Sequence, residues 1–518
     1  MNPAAPPGPV VVVGGGIAGL TAALELAERG AAVTLVEAGD CFGGKIATSR
    51  VDGLVVEAGA DSFLSSKPAG LALCERLGIT DRLVNSRAED RRTCVWSRGR
   101  LRELPEGLVL GSPARAWSLL RSGLLSPAGA ARMVGDVAVP RRRSGSEDGR
   151  GGPAPAEESV AEFFTRRLGG EAYARVVEPL LAGIHAGDAT RLSLPATFPR
   201  FVDMERDHGG LVRATLAGRV PKPVRRLTAM RRHGQTGVPF PLHPGKRTPV
   251  SGVAAPAAGV VGPVPAGHTP FVSFRTGMAE VVEALVARLG VLGVDLRTGQ
   301  AVAGIGAVEG GYEAVLGGTG EALPAAAVVL ATPAPVTARL VRSLCPAAAV
   351  LLEGIEHAST ATVSLAYRSD DVGTPPEGYG FVVPRAEGRH LLAGTWGSNK
   401  WPGRAPAGEF LLRGYVGGVG REAVLEADDD GLVHLVRAEL GALAGIRGTP
   451  VHSEVHRYPD GMPQYTVGHL GRVERIRGAL AACPGLAVTG AAYGGVGIPD
   501  CIADALATAG QVLRRLDQ

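Results

Sequence analysis

Among 518 residues there are six cysteines, at 41, 74, 94, 345, 483 and 501, and no two fall at a Cys-x-x-Cys or framework spacing. That pattern argues against structural zinc and a disulfide scaffold, and points to a reducing compartment. An excess of one charge is lacking too: 54 basic residues are interspersed with 50 acidic ones for a net charge of +4, so nothing calls for a nucleic-acid partner. No stretch reaches about 18 uninterrupted apolar residues, the usual minimum for spanning a bilayer. The first apolar stretch, Val10 to Leu20, is broken by three consecutive glycines and follows no basic region, so neither a signal peptide nor a membrane span is expected there. No repeat of fixed period is present. Aromatic residues are scarce at 4% while glycine reaches 75, a bias attributed to a GC-rich coding sequence rather than to function.

What is present is a chain of 45% hydrophobic content, long enough for two or three domains around large cores. Val10 to Val13 reads as a strand buried on both faces, Ile17 to Arg29 as a helix stopping at Gly30, and Ala32 to Glu37 as a second strand, together a βαβ unit. Further on, Met278 to Leu289 predicts a helix, and Val294 to Arg297, Ala301 to Ile305 and Ala326 to Ala331 predict strands. The end repeats the pattern, with a strand over Leu486 to Thr489, a glycine-rich turn, and a helix from Asp500 to about Leu516. Residues 141–156 and 218–270 combine Pro, Gly and charge without periodicity. The first is expected to be a loop and the second a mobile insertion.

Gly14-Gly15-Gly16-Ile17-Ala18-Gly19 contains Gly-x-Gly-x-x-Gly. Gly14 suits the tight turn, Gly16 the close approach of backbone to a diphosphate, and Gly19 the packing of helix on strand. The amides and positive dipole end of the helix N-terminus attract an anion. Alone the motif is weak. Here it lies between a predicted strand and helix and is answered by Glu37 at the end of the second strand, where a carboxylate accepts ribose hydroxyls and repels the 2′-phosphate of NADP.

The segment from Glu37 to Lys45, EAGDCFGGK, resembles the stretch from glutamate to paired glycines in flavin amine oxidases, and EAGADSF at 57–63 continues the likeness. Longer segments look like the Gram-positive type of protoporphyrinogen or coproporphyrinogen III oxidase of haem synthesis: AGADSFLSSKP at 58–68, EPLLAGIHAGDATRLSLPATFP at 178–199, TWGSNKWPGRAPAGEFLLRGYVGG at 395–418, MPQYTVGH at 462–469 and TGAAYGGVGIPDCI at 489–502. The resemblance implies FAD against Gly14, Gly15, Gly16, Ile17, Ala18 and Gly19, and against Glu37, Ala38 and Lys45. It also implies contacts from Gly59, Ala60, Asp61 and Ser62, the backbone of Val302, and Val496, Gly497 and Ile498. Tyr458 stands where several relatives carry tryptophan, and an aromatic face toward the flavin is expected there.

The implied fold is α/β (α+β multidomain), with a discontinuous Rossmann-like FAD domain, a mixed-sheet substrate domain and a helical cap, as in p-hydroxybenzoate hydroxylase and amine oxidases. The expected division gives 1–88, 271–333 and 480–518 to the FAD domain, 89–105, 183–217 and 334–479 to the substrate domain, and 106–182 to a cap whose apolar faces pack inward. The implied reaction is the six-electron oxidation of a porphyrinogen in the cytoplasm, with oxygen as acceptor. Coproporphyrinogen III is the expected substrate and protoporphyrinogen IX the alternative. An amine oxidase or desaturase, and a flavin-bearing porphyrin-binding protein without turnover, are the rivals. The resemblance leaves room for transient contact with the next enzyme of the pathway and leaves oligomeric state open.

Because the flavin does the chemistry, no catalytic acid or base is assigned. Substrate propionates call for an entrance cation, for which Lys67 is the candidate, with Tyr379 as a pocket-lining residue. Trp396 and Trp401 read as structural. His452 and His456 have the spacing of a helical metal pair, but the alternation of Val451 to Val455 makes the segment a strand, and no metal site is expected.

Overall fold

The structure is a computed structural model that describes residues 8–87, 92–104, 113–142, 157–217, 264–372 and 377–517. Its centre is a five-stranded, all-parallel sheet in the order Asp295–Arg297, Val33–Val36, Val10–Val13, Ala327–Leu330, Leu486–Val488. The valine run is uninterrupted because both faces are covered. Val10 and Val12 face a layer built from the helices Ile17–Glu28, Ala279–Val291 and Ile498–Leu516. Val11 and Val13 face the antiparallel sheet of Val302–Val308, Gly311–Leu316 and Ala322–Ala325, together with the helices Ala334–Val341, Pro346–Glu353 and His469–Leu480.

A second, seven-stranded sheet runs in the order His452–Pro463, His357–Arg368, Glu409–Gly417, Ala393–Trp396, Gly380–Val382, Thr93–Ser97, Arg100–Leu104. Only the Gly380–Val382 and Thr93–Ser97 pair is parallel. Alternation sorts its two faces. Ala361, Val363, Leu365, Leu412, Val416, Phe381 and Trp396 pack under the helix Asp429–Ala444. The residues between them, Thr362, Ser364, Thr395, Arg413 and Tyr415, line the opposite, polar face, and Thr362 reaches the Ala58 carbonyl with its hydroxyl.

Helices from Pro113–Arg121 to Leu211–Leu216 form a third unit. Residues 183–217, expected with the substrate domain, pack with these helices: Leu192, Phe198, Phe201 and Leu211 share one apolar cluster with Leu119, Phe163 and Phe164. A buried ion triad clamps the unit, with Arg167 donating to Asp136 at 3.2 Å and to Glu205.

Of the two expected loops, 143–156 and 218–263 lie outside the described residues. The tail of the second is not part of a loose insertion. Thr269 is buried, takes its amide to Asn85 Oδ1 at 2.8 Å, and accepts at its carbonyl from Ser65 Oγ at 2.6 Å, which seats 264–270 against the body.

Candidate functional site

All five parallel strands end toward the same side, and ligands of such sheets bind beyond those carboxyl ends. Two helices begin there. Gly14 turns the chain out of the first strand at φ +103°, a conformation that favours glycine. A Cβ on Gly19 would collide with the Gly14 carbonyl, so the helix lies directly on the strand. By contrast, nothing lies within 4 Å of a Cβ built on Gly16, which is the N-cap of Ile17–Glu28 and has no side-chain cap. The first amides of that helix therefore face an open cradle. The second helix, Ile498–Leu516, starts from Gly497 and likewise lacks a side-chain cap. The two helices pack against each other along their length.

Glu37 closes one end of this groove. Its carboxylate accepts the Gly15 amide at 2.6 Å and the Gly39 amide at 2.8 Å, leaving further lone pairs toward solvent. Segment 299–302 lies beside it, through Gly299 N–H to Gly39 O and Gln300 N–H to Glu37 O, which brings Val302 to this end. Toward the other end, a Cβ on Gly59 would strike the Lys45 carbonyl and approach the Tyr458 hydroxyl at 3.2 Å, so Lys45, Gly59 and Tyr458 converge. Lys45 is exposed along the groove yet ringed by protein, and the resulting desolvation lowers its ammonium pKa.

Under Gly59 sits an ion cluster that sequence reasoning missed. Arg413 Nη1 donates to the carbonyls of Glu57 and Gly59, at 2.8 and 2.6 Å, and its guanidinium lies 4.9 Å from the Tyr415 ring centre. Asp61 accepts from Lys400 Nζ at 2.9 and 3.0 Å and from the Trp401 indole at 3.3 Å. Arg404 pairs with Glu57 at 3.0 Å. Burial alone would raise the Asp61 carboxyl, but Lys400 and Arg413 outweigh it and hold the group well below the usual carboxylate range. For Glu57 burial wins over Arg404 and the pKa rises. Three cations facing two carboxylates leave the cluster with positive charge in excess beneath the groove.

The C-terminal turn is pinned from behind. Asp504 accepts from Thr489 Oγ1 at 2.9 Å, from the Gly490 amide at 3.3 Å and from Arg477 at 2.6 Å. In front, Lys67 pairs with Asp500 in the first turn of the C-terminal helix, so the lysine expected to stand free at an entrance has a partner within the chain. Tyr379 donates its hydroxyl to the Arg87 carbonyl beside the first residue of a sheet strand. Trp396 is core, as its ring contacts with Phe381 and Phe410 show. Trp401 is buried too, but its N–H joins the Asp61 cluster. His452 and His456 share a strand face and are both directed at Glu454, at 3.4 and 2.6 Å. Among the described residues no group of three or more His, Cys, Asp or Glu is placed to hold a metal ion.

Residues 17–513 match the family described as flavin containing amine oxidoreductase. The chain is 36% identical over 506 residues to the coproporphyrinogen III oxidase of Propionibacterium freudenreichii subsp. freudenreichii, covering 97% of this chain and 90% of that protein. It is 34% identical to the coproporphyrinogen III oxidase of Bacillus subtilis (strain 168), covering 95% of each. Among solved structures, one provisionally assigned as a protoporphyrinogen oxidase from Exiguobacterium sp. 255-15 superposes with a TM-score of 0.78 at 29% identity, over 98% of this chain and 99% of that one.

Proposed function

Since the chain belongs to the flavin containing amine oxidoreductases and, within them, to the coproporphyrinogen III oxidases, it is an oxidoreductase, and we propose that it converts coproporphyrinogen III to coproporphyrin III with FAD. Three molecules of oxygen take up the six electrons and six hydrogens as three hydrogen peroxide. The observation that carries the reading is the groove itself: the uncapped helix N-terminus at Gly16 opens into it, a second helix without a side-chain cap begins at the same end of the sheet, a carboxylate closes one end, and a polar sheet face with excess positive charge walls the other.

The residues fit the cofactor because the space before Gly16 is the kind a diphosphate fills. Gly14 to Gly19 would hold the diphosphate, Glu37 and Ala38 the ribose, Val302 the adenine side, and Lys45, Gly59 to Ser62, Tyr458 and Val496 to Ile498 the ring side. When bound, the flavin supplies the hydride acceptor and returns electrons to oxygen. The protein's task is placement. Arg413 fixes the Gly59 carbonyl, and Asp504 fixes the turn before Gly497. Lys67, its charge shared with Asp500, and Tyr379 serve as weaker substrate contacts.

The domain division follows packing: 183–217 goes with the cap, and 264–270 with the FAD domain. Location in the cytoplasm agrees with six cysteines that are all free thiols.

Purified yellow protein should bleach with anaerobic coproporphyrinogen III and recover in air, with porphyrin fluorescence and peroxide rising in parallel. Protoporphyrinogen IX, which has two propionates instead of four, should also turn over with a lower kcat/KM, by a modest factor because partly exposed ion pairs are worth only about 0.2 to 1 kcal/mol each. A higher kcat/KM for protoporphyrinogen IX overturns the substrate assignment. No bleaching with either favours the binding protein without turnover.

A further inference from the structure

Two cysteines meet at the amino ends of the parallel strands, the end of the sheet opposite to the groove. Cys483 lies just before the strand Leu486–Val488, and Cys345 is the N-cap of the helix Pro346–Glu353. Each sulfur is held against the backbone that carries the other. Cys345 Sγ is 3.5 Å from the Ala479 carbonyl oxygen, in the last turn of the helix that leads to Cys483, and Cys483 Sγ is 3.6 Å from the carbonyl oxygen of Leu344. The two thiols also act on each other directly: burial first, and then the neighbouring Cys345 thiol, push the Cys483 thiol up. Packing fixes both segments. The helices Pro346–Glu353 and His469–Leu480 share one apolar cluster, and Tyr312 donates its hydroxyl to the Pro484 carbonyl at 3.0 Å.

Access to the pair is one-sided. Cys345 is only 7% exposed, whereas Cys483 is half-buried and follows the exposed Ala481 and Ala482, so a small oxidant arriving from solvent meets Cys483 first. The thiolate is the form that reacts, and a thiol pushed up holds little of it at neutral pH. The pair is therefore slow to oxidise and answers to sustained exposure. Cys74 and Cys501 offer no competing site, because both are buried and burial pushes each thiol up to about 12.

We propose that Cys345 and Cys483 form a peroxide-driven modification site that closes to an intrachain disulfide. Hydrogen peroxide oxidises Cys483 to the sulfenic acid and releases one water. The Cys345 sulfur then attacks the Cys483 sulfur, forming the S–S bond and releasing the second water, so two thiols lose two electrons and one peroxide is reduced to two waters. Peroxide is the product of the proposed oxidase, but the test adds it directly, so the site stands or falls apart from that reading. The bond would join segments 139 residues apart and clamp the two helices over the sheet, and a loop of that length is where a cross-link constrains the unfolded chain strongly. Reduced holoprotein is exposed to hydrogen peroxide, quenched with catalase, alkylated under denaturing conditions, digested and read by mass spectrometry, with melting followed in parallel. The wild type should yield a Cys345–Cys483 cross-linked peptide that dithiothreitol removes. Its melting temperature should rise by a few degrees while flavin content stays the same. In Cys345→Ser the Cys483 sulfenic acid should persist long enough for dimedone to trap it, and melting should not rise. Unmodified Cys483, its sulfinic or sulfonic acid without the cross-linked peptide, or cross-linking mainly to another cysteine overturns the site. A cross-link that leaves melting unchanged overturns the clamp. The wild-type peptide needs no variant, so a serine variant that fails to fold leaves the test intact.

Discussion

Glu37→Ala removes two things at once. In the free protein the carboxylate already accepts the Gly15 and Gly39 amides, at 2.6 and 2.8 Å, so it latches the glycine turn to the end of the second strand before any ligand arrives. With FAD bound it would also accept the ribose hydroxyls. A hydrogen bond to a charged group contributes about 1.5 to 3 kcal/mol, and Glu37 is only half-buried, so the lower value applies to each. Loss of the ribose contact together with a loosened turn then amounts to about 3 kcal/mol, or roughly a hundredfold in FAD affinity. Glu37→Gln keeps one acceptor oxygen without the charge and should fall between the two. The assay is reconstitution of apoprotein with FAD, followed by quenching of flavin fluorescence, with apoprotein melting recorded alongside. The latch predicts that Glu37→Ala also lowers the melting temperature without any flavin present. Unchanged FAD affinity refutes the ribose assignment, and unchanged apoprotein melting refutes the latch.

Arg167→Met leaves Asp136 and Glu205 buried without their shared cation, a loss of about 3 to 5 kcal/mol confined to the helical unit. Hydrogen exchange should rise across 157–217 while flavin content holds, and uniform exchange over the whole chain would refute a local clamp. His185 and His469 are buried, and burial, aided by Lys67 for the first and Arg472 for the second, lowers each to about 4. Both are therefore neutral in the folded state, and their contribution is present above the unfolded value of about 6.5 and lost as pH falls toward 4, about 2 kcal/mol each between pH 7 and 5. Thermal denaturation at pH 7, 6 and 5 should show that loss, and His469→Phe, which keeps a ring against Tyr465, should flatten the pH dependence. An unchanged slope in the variant counts against this assignment.

The parts of this molecule that can be read from the chain are those whose partners are close in sequence or whose burial is symmetrical. Four valines announce a strand because both faces are covered, and Glu37 can be tied to the glycine turn because the Gly15 amide it accepts is only 22 residues away. Alternation in His357–Arg368 separates a Ser/Thr face from an Ala/Val/Leu face, yet it cannot say what lies opposite the polar one. The answer is the Glu57 to Asp61 loop, reached by Arg413 across 354 residues of chain. The same limit governs Lys67, which looks like a free entrance cation until Asp500 arrives from 433 residues away, and Trp401, which looks merely structural until its indole N–H finds Asp61. A hydrophobic residue declares its face through period, because every apolar neighbour is an acceptable partner. A charge needs one particular counter-charge, and nothing in its local sequence says which. The glycine turns and strands that frame the groove were therefore legible from the local sequence, whereas the positions of the cations walling it were supplied by the fold.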